Sequence, residues 1–169
     1  MSKRAGNVIL MSDITEEIGA DALRFIFLTR KSDTHLEFDV DMLKNQDSSN
    51  PIFYINYAHA RINQVFVKVG MTQKDIENVS FEKLNQDGLN LVYESLLLGS
   101  ILNEAFIKRD MQKITEYLYN LASSIHKFYN EHKVIGSDEQ NVYLKVLSMA
   151  ALSINVGLSL LGIKAREIM

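Results

Sequence analysis

A chain of 169 residues holds enough material for one domain with a core of its own. It has no cysteine, which excludes disulfides, cysteine-based zinc sites and thiol catalysis. Apolar residues make up 47% and charged residues 23%, an ordinary globular balance, and a net charge of −3 confines any nucleic-acid contact to a local patch.

Pro51 is the one proline, and so few breakers favour long helices. No apolar run reaches the ~18 residues of a membrane span. Met1-Ser2-Lys3-Arg4 is not followed by the apolar stretch of a signal peptide. A cytoplasmic protein without membrane partners is expected.

Asp13 followed by Glu16 has the pattern of a helix cap, predicting a short helix over 13–18 that stops at Gly19. A second helix over 20–29 is apolar nearly all round and should be deeply buried. Residues 31–38 form a polar connector in which Leu36 and Phe38 suggest a brief extended segment. Asp39 and Asp41 favour a short helix over 39–46. Asn50 then caps a helix with Pro51 in its first position. That helix should run to Val69, with a seam of Ile55, Ala58, Ile62, Val65 and Val69, and end at Gly70. Residues 71–87 read as a loop with one helical turn. Helices resume over 88–97, 99–108 and 110–132, the last with a seam of Met111, Ile114, Leu118, Leu121, Ile125 and Phe128. A final helix over 138–161 carries Val142, Val146, Met149, Ala150, Ile154 and Leu161. These seams and short connections predict an all-α helical bundle.

Beside the seam of the 51–69 helix lies a second stripe: Tyr54, Tyr57, Arg61, Gln64 and Lys68. Two readings fit it. Aromatic rings and a guanidinium suit unpaired bases, with Arg and Lys on phosphates. The same residues also suit the wet margin of a core. His59 lies off this stripe, where a lone helical histidine is usually structural. His126 and His132 point in different directions, no His-Glu-x-x-His spacing occurs, and no metal site is expected. Asp39 and Asp41 do not face each other on a helix, and no nucleophile–base constellation or phosphate-binding glycine pattern is present. By its own residues the chain carries no complete active site.

The chain nevertheless resembles a family almost from end to end. Met1-Ser2-Lys3-Arg4-Ala5-Gly6-Asn7-Val8 is similar to the ATP loop of class I aminoacyl-tRNA synthetases, and Gly19-Ala20-Asp21-Ala22-Leu23-Arg24-Phe25 to the motif that names the DALR anticodon-binding domain. Ser32 through Asp39, Asn50-Pro51 through Tyr54, Tyr57-Ala58-His59-Ala60-Arg61, Tyr117 through Asn130, and the tail from Gly157 to Met169 resemble arginyl-tRNA synthetases in particular.

The resemblance implies a DALR-type α-helical anticodon-binding domain over 31–169, preceded over 1–30 by the ATP-loop remnant and connecting helices. It implies tRNA-Arg as partner. Tyr54, Tyr57, Arg61 and Lys68 would line the anticodon site, His59 would contact or orient it, and Met169 would approach as the family-like terminus. Ser2, Lys3 and Arg4 would bind ATP, and Lys3 would act catalytically on its phosphates only in the full-length enzyme, which uses ATP with Mg. The catalytic domain and the N-terminal domain that family members carry are not in this sequence. A piece of a longer ligase, without cofactor or aminoacylation activity of its own, is therefore expected. The rival readings are a stand-alone helical protein-interaction domain and a fragment of a sister synthetase such as the cysteinyl enzyme.

Overall fold

The computed structural model describes residues 10–31, 33–82 and 84–169. Among the described residues it forms eight α-helices and no strand. The helix that organises the bundle begins at Asn50. The Asn50 Oδ1 accepts the Phe53 N–H at 3.2 Å, while its Nδ2 donates to the carbonyls of Leu43 at 2.6 Å and Asn45 at 3.1 Å. One buried amide thus caps a helix and ties down the incoming chain. The helix spans Pro51–Val69, as its sequence signals predict. Gly70 ends it at φ +71°, where its N–H reaches the Phe66 carbonyl at 2.9 Å. In chain order this is α3.

Two shorter helices precede it, α1 (Met11–Ile18) and α2 (Ala20–Leu28). The first starts two residues before its expected position: Asp13 sits in the first turn, favourable to the helix dipole, rather than capping. Gly19, at φ +84° and ψ 152°, turns the chain between the two helices in a conformation open essentially to glycine. The second helix buries Ala22, Leu23, Phe25 and Ile26, but Arg24 and Phe27 are exposed. It is therefore a helix covered on one side, not the all-round buried element expected.

The predicted helix over 39–46 is only a 3-10 turn, Met42–Lys44, and Leu36 and Phe38 join no strand. Asp39 Oδ1 accepts the Asp41 N–H at 2.9 Å, a local turn that competes with helix formation. The Leu43 and Asn45 carbonyls are taken by Asn50 instead of by a further helical turn.

After α3 come α4 (Gln73–Ile76), α5 (Gln86–Leu96), α6 (Leu98–Lys108), α7 (Gln112–Glu131) and α8 (Gln140–Leu160). The expected loop over 71–87 holds its single turn as α4, closed by Asp75, whose carboxylate accepts from the Thr72 N–H and hydroxyl at 2.6 and 2.7 Å.

The core lies where α3, α5, α7 and α8 meet. Ile55, Ile62 and Val65 of α3 join Leu118, Leu121 and Ile125 of α7 and Leu147, Ile154 and Leu158 of α8 in one buried cluster. Met111, expected to begin the α7 seam, is exposed just outside the helix. Gly157 lets α8 approach α7 closely: a Cβ there would lie 2.7 Å from Leu118 Cδ2. By length and mean hydropathy, 1.5 over 18 residues, α8 could cross a membrane, although no uninterrupted apolar run stands out in the sequence. In this fold 61% of that window is buried inside the bundle, as befits a central core helix.

Candidate nucleic-acid interface

The edge where α3 lies beside α7 gathers the polar and aromatic residues of the stripe. Tyr57 is 42% exposed, Gln64 and Lys68 are exposed, and Tyr54 and Arg61 are half-buried. The second helix supplies backing. The Tyr54 ring lies 4.5 Å from His126 and 5.3 Å from Tyr119, and the Tyr57 ring stacks on His126 at 5.4 Å and 23°. One turn on, the Arg61 guanidinium sits 3.7 Å from the Tyr129 ring centre, and its Nη2 donates to Asn130 Oδ1 at 3.4 Å. These contacts advance along both helices together. The paired faces follow from sequence spacing: on α7, 119, 126 and 129–130 recur at helical intervals, as 54, 57 and 61 do on α3.

His126 is buried, with Nε2 3.3 Å from the Tyr54 carbonyl. A carbonyl only accepts, so Nε2 carries the proton. Burial pushes the His126 pKa down; the bond to the Tyr54 carbonyl opposes this and the nearby Arg61 charge adds to it. At neutral pH the ring is thus kept uncharged, a flat support for Tyr57 beside a fixed cation. Tyr119, His126 and Tyr129 are not among the residues that the sequence singles out for this edge. The missed signal was their shared face on α7.

His59 occupies the other side of α3. It is buried, and its Nδ1 lies 2.8 Å from the Arg166 carbonyl. Asn56 Oδ1 accepts the Arg166 N–H at 2.9 Å. Met169 lies beyond this point. With Phe53, Asn56, Arg166, Lys44 and Glu17 it lines a cleft of about 510 Å³ between the chain's last residues and the α1–α2 turn. Phe53 links the two sides, since it lines the cleft and stacks with Tyr57 at 6.0 Å and 10°. Ser2, Lys3 and Arg4 lie outside the described residues.

Among the described residues, Asp87, Glu131 and His132 bring possible metal-ligand atoms within 4.8 Å of one another. His132 pairs with Asp87 at 3.2 Å and packs on Phe128 at 4.5 Å, and three ligands fall short of a closed structural zinc site.

A helical bundle with a stacking and cationic face along one edge has the build of an anticodon-binding module. The family model for the DALR anticodon binding domain matches residues 55–169, and the chain belongs to that family. Relatives that it matches are arginine–tRNA ligases. The arginine–tRNA ligase of Aliarcobacter butzleri is 86% identical over the whole chain, and that of Campylobacter lari 58% identical over 99% of it. In each case the chain spans 32% of the relative's length. Among solved structures, a Campylobacter jejuni protein assigned as an arginyl-tRNA synthetase superposes with a TM-score of 0.93 at 56% identity, over 99% of this chain and 37% of that one. The Thermus thermophilus arginyl-tRNA synthetase shares the fold, with a TM-score of 0.79 at 21% identity over 99% of this chain and 29% of that one.

Proposed function

We propose that this chain recognises the anticodon of tRNA-Arg as part of an arginine–tRNA ligase, a cytoplasmic enzyme that joins arginine to its tRNA with ATP and Mg. The observation that carries the reading is the exposed Tyr57 ring stacked on buried, neutral His126, next to an Arg61 guanidinium held on Tyr129. An unpaired base stacks on Tyr57, a contact type worth about 1–3 kcal/mol per base. Arg61 offers its remaining N–H donors to a base edge or phosphate, and Lys68 meets the backbone. Tyr54 fills the seam behind Tyr57, and Met169 closes the cleft beside Phe53. His59 contributes by holding the chain near that cleft.

On this reading residues 31–169 form the recognising unit and residues 1–30 lead into it from the catalytic body. The α2 helix is shared, since Phe25 packs into the bundle core. Ser2, Lys3 and Arg4 belong to the ATP loop of the whole enzyme, where Lys3 stabilises charge developing on the phosphates. A net charge of −3 implies that much of the affinity for the tRNA backbone resides elsewhere in that enzyme.

The test is binding of this chain, at low salt, to a tRNA-Arg transcript and to the same transcript with its middle anticodon base changed. Preference for the unaltered anticodon, lost in both Tyr57→Ala and Arg61→Ala, is the expected result. Binding to both transcripts that is blind to the anticodon overturns the reading.

A further inference from the structure

Asn56 and His59 stand on one side of α3 and grip the same residue. Asn56 Oδ1 accepts the Arg166 N–H at 2.9 Å, and His59 Nδ1 donates to the Arg166 carbonyl at 2.8 Å. The other half of the Asn56 amide is also engaged: its Nδ2 donates to the Ile52 carbonyl at 3.1 Å. Both Asn56 and His59 are buried. Two helix side chains therefore satisfy both main-chain groups of one residue outside any helix, as a neighbouring strand would.

Upstream of that grip the chain alternates. Leu161, Ile163 and Ala165 are buried, whereas Gly162, Lys164 and Arg166 are exposed. A slip of one residue would drive Lys164 and Arg166 into apolar positions, at the cost of burying charge. Arg24 adds an anchor where α8 ends, donating to the Gly162 carbonyl. The register of residues 161–166 is thus set by main-chain bonds and apolar alternation, and the Arg166 side chain is left to line the cleft with Met169.

We infer that Asn56 and His59 are positioning residues for RNA recognition: by clamping the Arg166 main chain they hold Arg166 and Met169 as a fixed wall of the cleft beside Phe53, and anticodon preference depends on that clamp although neither residue touches RNA. The inference rests on the anticodon reading above.

The experiment compares Asn56→Leu and His59→Leu with His59→Asn, whose amide keeps a donor near the Nδ1 position. Hydrogen exchange at the Arg166 amide and the ratio of binding to unaltered and altered anticodons are read together. In both leucine variants the Arg166 amide exchanges faster while the α7 and α8 amides stay protected, and the anticodon ratio falls about tenfold, the scale of one lost hydrogen bond. His59→Asn recovers both. Arg166→Pro removes the clamped N–H without touching the bundle, so it loses more preference than Arg166→Ala and covers the case of a leucine variant that fails to fold. Slow Arg166 exchange in the leucine variants overturns the clamp. A freed segment with the ratio intact overturns its role in recognition. If the unsubstituted chain shows no anticodon preference, the anticodon reading fails and the inference with it. If only the inference fails, the variants share an intact wild-type preference.

Discussion

The Arg61 guanidinium lies 3.7 Å from the centre of the Tyr129 ring, and Asn130 accepts one of its N–H groups. A planar cation held in this way keeps one edge fixed for a ligand. A lysine ammonium is a point charge on a flexible stem and cannot reproduce that edge. Arg61→Lys should therefore lose anticodon preference nearly as fully as Arg61→Ala. Its thermal stability should change by less than about 1 kcal/mol, the usual size of a cation–π pair at a partly exposed site. Competition binding with the altered transcript, beside a thermal melt, separates the two effects.

His126 gives the bundle a defined pH response. Its ordinary pKa is 6.5, and burial lowers it in the folded chain. Between the folded and unfolded values the unfolded chain binds more protons, so stability rises with pH there. The contribution is fully present above 6.5 and is lost as pH falls from 6.5 through the depressed folded value. Urea midpoints for the wild type and His126→Phe, taken at about pH 7.5 and about pH 5, isolate this term. The wild type should lose more stability than the variant on acidification. Equal losses would mean that His126 does not titrate differently on folding.

Much of this arrangement could be read from residue spacing, and the exceptions have physical causes. The α3 bounds were legible because Asn50, Pro51 and Gly70 each act locally through backbone chemistry. The α7 seam was legible from helical periodicity, apart from Met111 beyond its end. The 39–46 segment was misread because acidic residues that favour a helix start also form side-chain turns, and Asn50, several residues away, took the carbonyls. The stripe on α3 was legible as a face. Its pairing with Tyr119, His126 and Tyr129 was not, because which helix covers which face is a tertiary fact. The same holds for the clamp on Arg166, which joins residues 110 apart in sequence.

Asn50 concentrates three hydrogen bonds in one buried side chain. Asn50→Ala removes the α3 cap and leaves the Leu43 and Asn45 carbonyls without that donor. The expected loss is about 2 kcal/mol or more, combining a lost cap with unsatisfied acceptors. Asn50→Asp should not rescue it. The carboxylate still caps Phe53 N–H, but its second oxygen then faces two carbonyls that need a donor. Chemical denaturation of the three proteins checks the order: asparagine most stable, with aspartate and alanine both well below.

Tyr117 joins α7 to α5 through its hydroxyl, which lies 3.0 Å from the Glu94 carbonyl and 3.1 Å from the Ser95 carbonyl. Burial pushes its pKa from 10.0 up to about 12; the Ser153 hydroxyl lowers it and the Glu94 charge raises it. The sign for stability follows. Between 10.0 and about 12 the folded chain holds the proton that the unfolded chain has released. The contribution is therefore intact below 10.0 and is lost as pH rises through that window. Tyr117→Phe should flatten the alkaline fall in stability. At neutral pH it should cost only about 1 kcal/mol. The reason is local: the Ser95 carbonyl keeps the Ser153 hydroxyl at 2.9 Å and the Glu94 carbonyl keeps the Leu97 N–H at 3.2 Å, so neither is left without a donor. Denaturation of both proteins at neutral pH and just above pH 10 tests both statements. A cost of several kcal/mol at neutral pH would show that the hydroxyl anchors more than these two carbonyls.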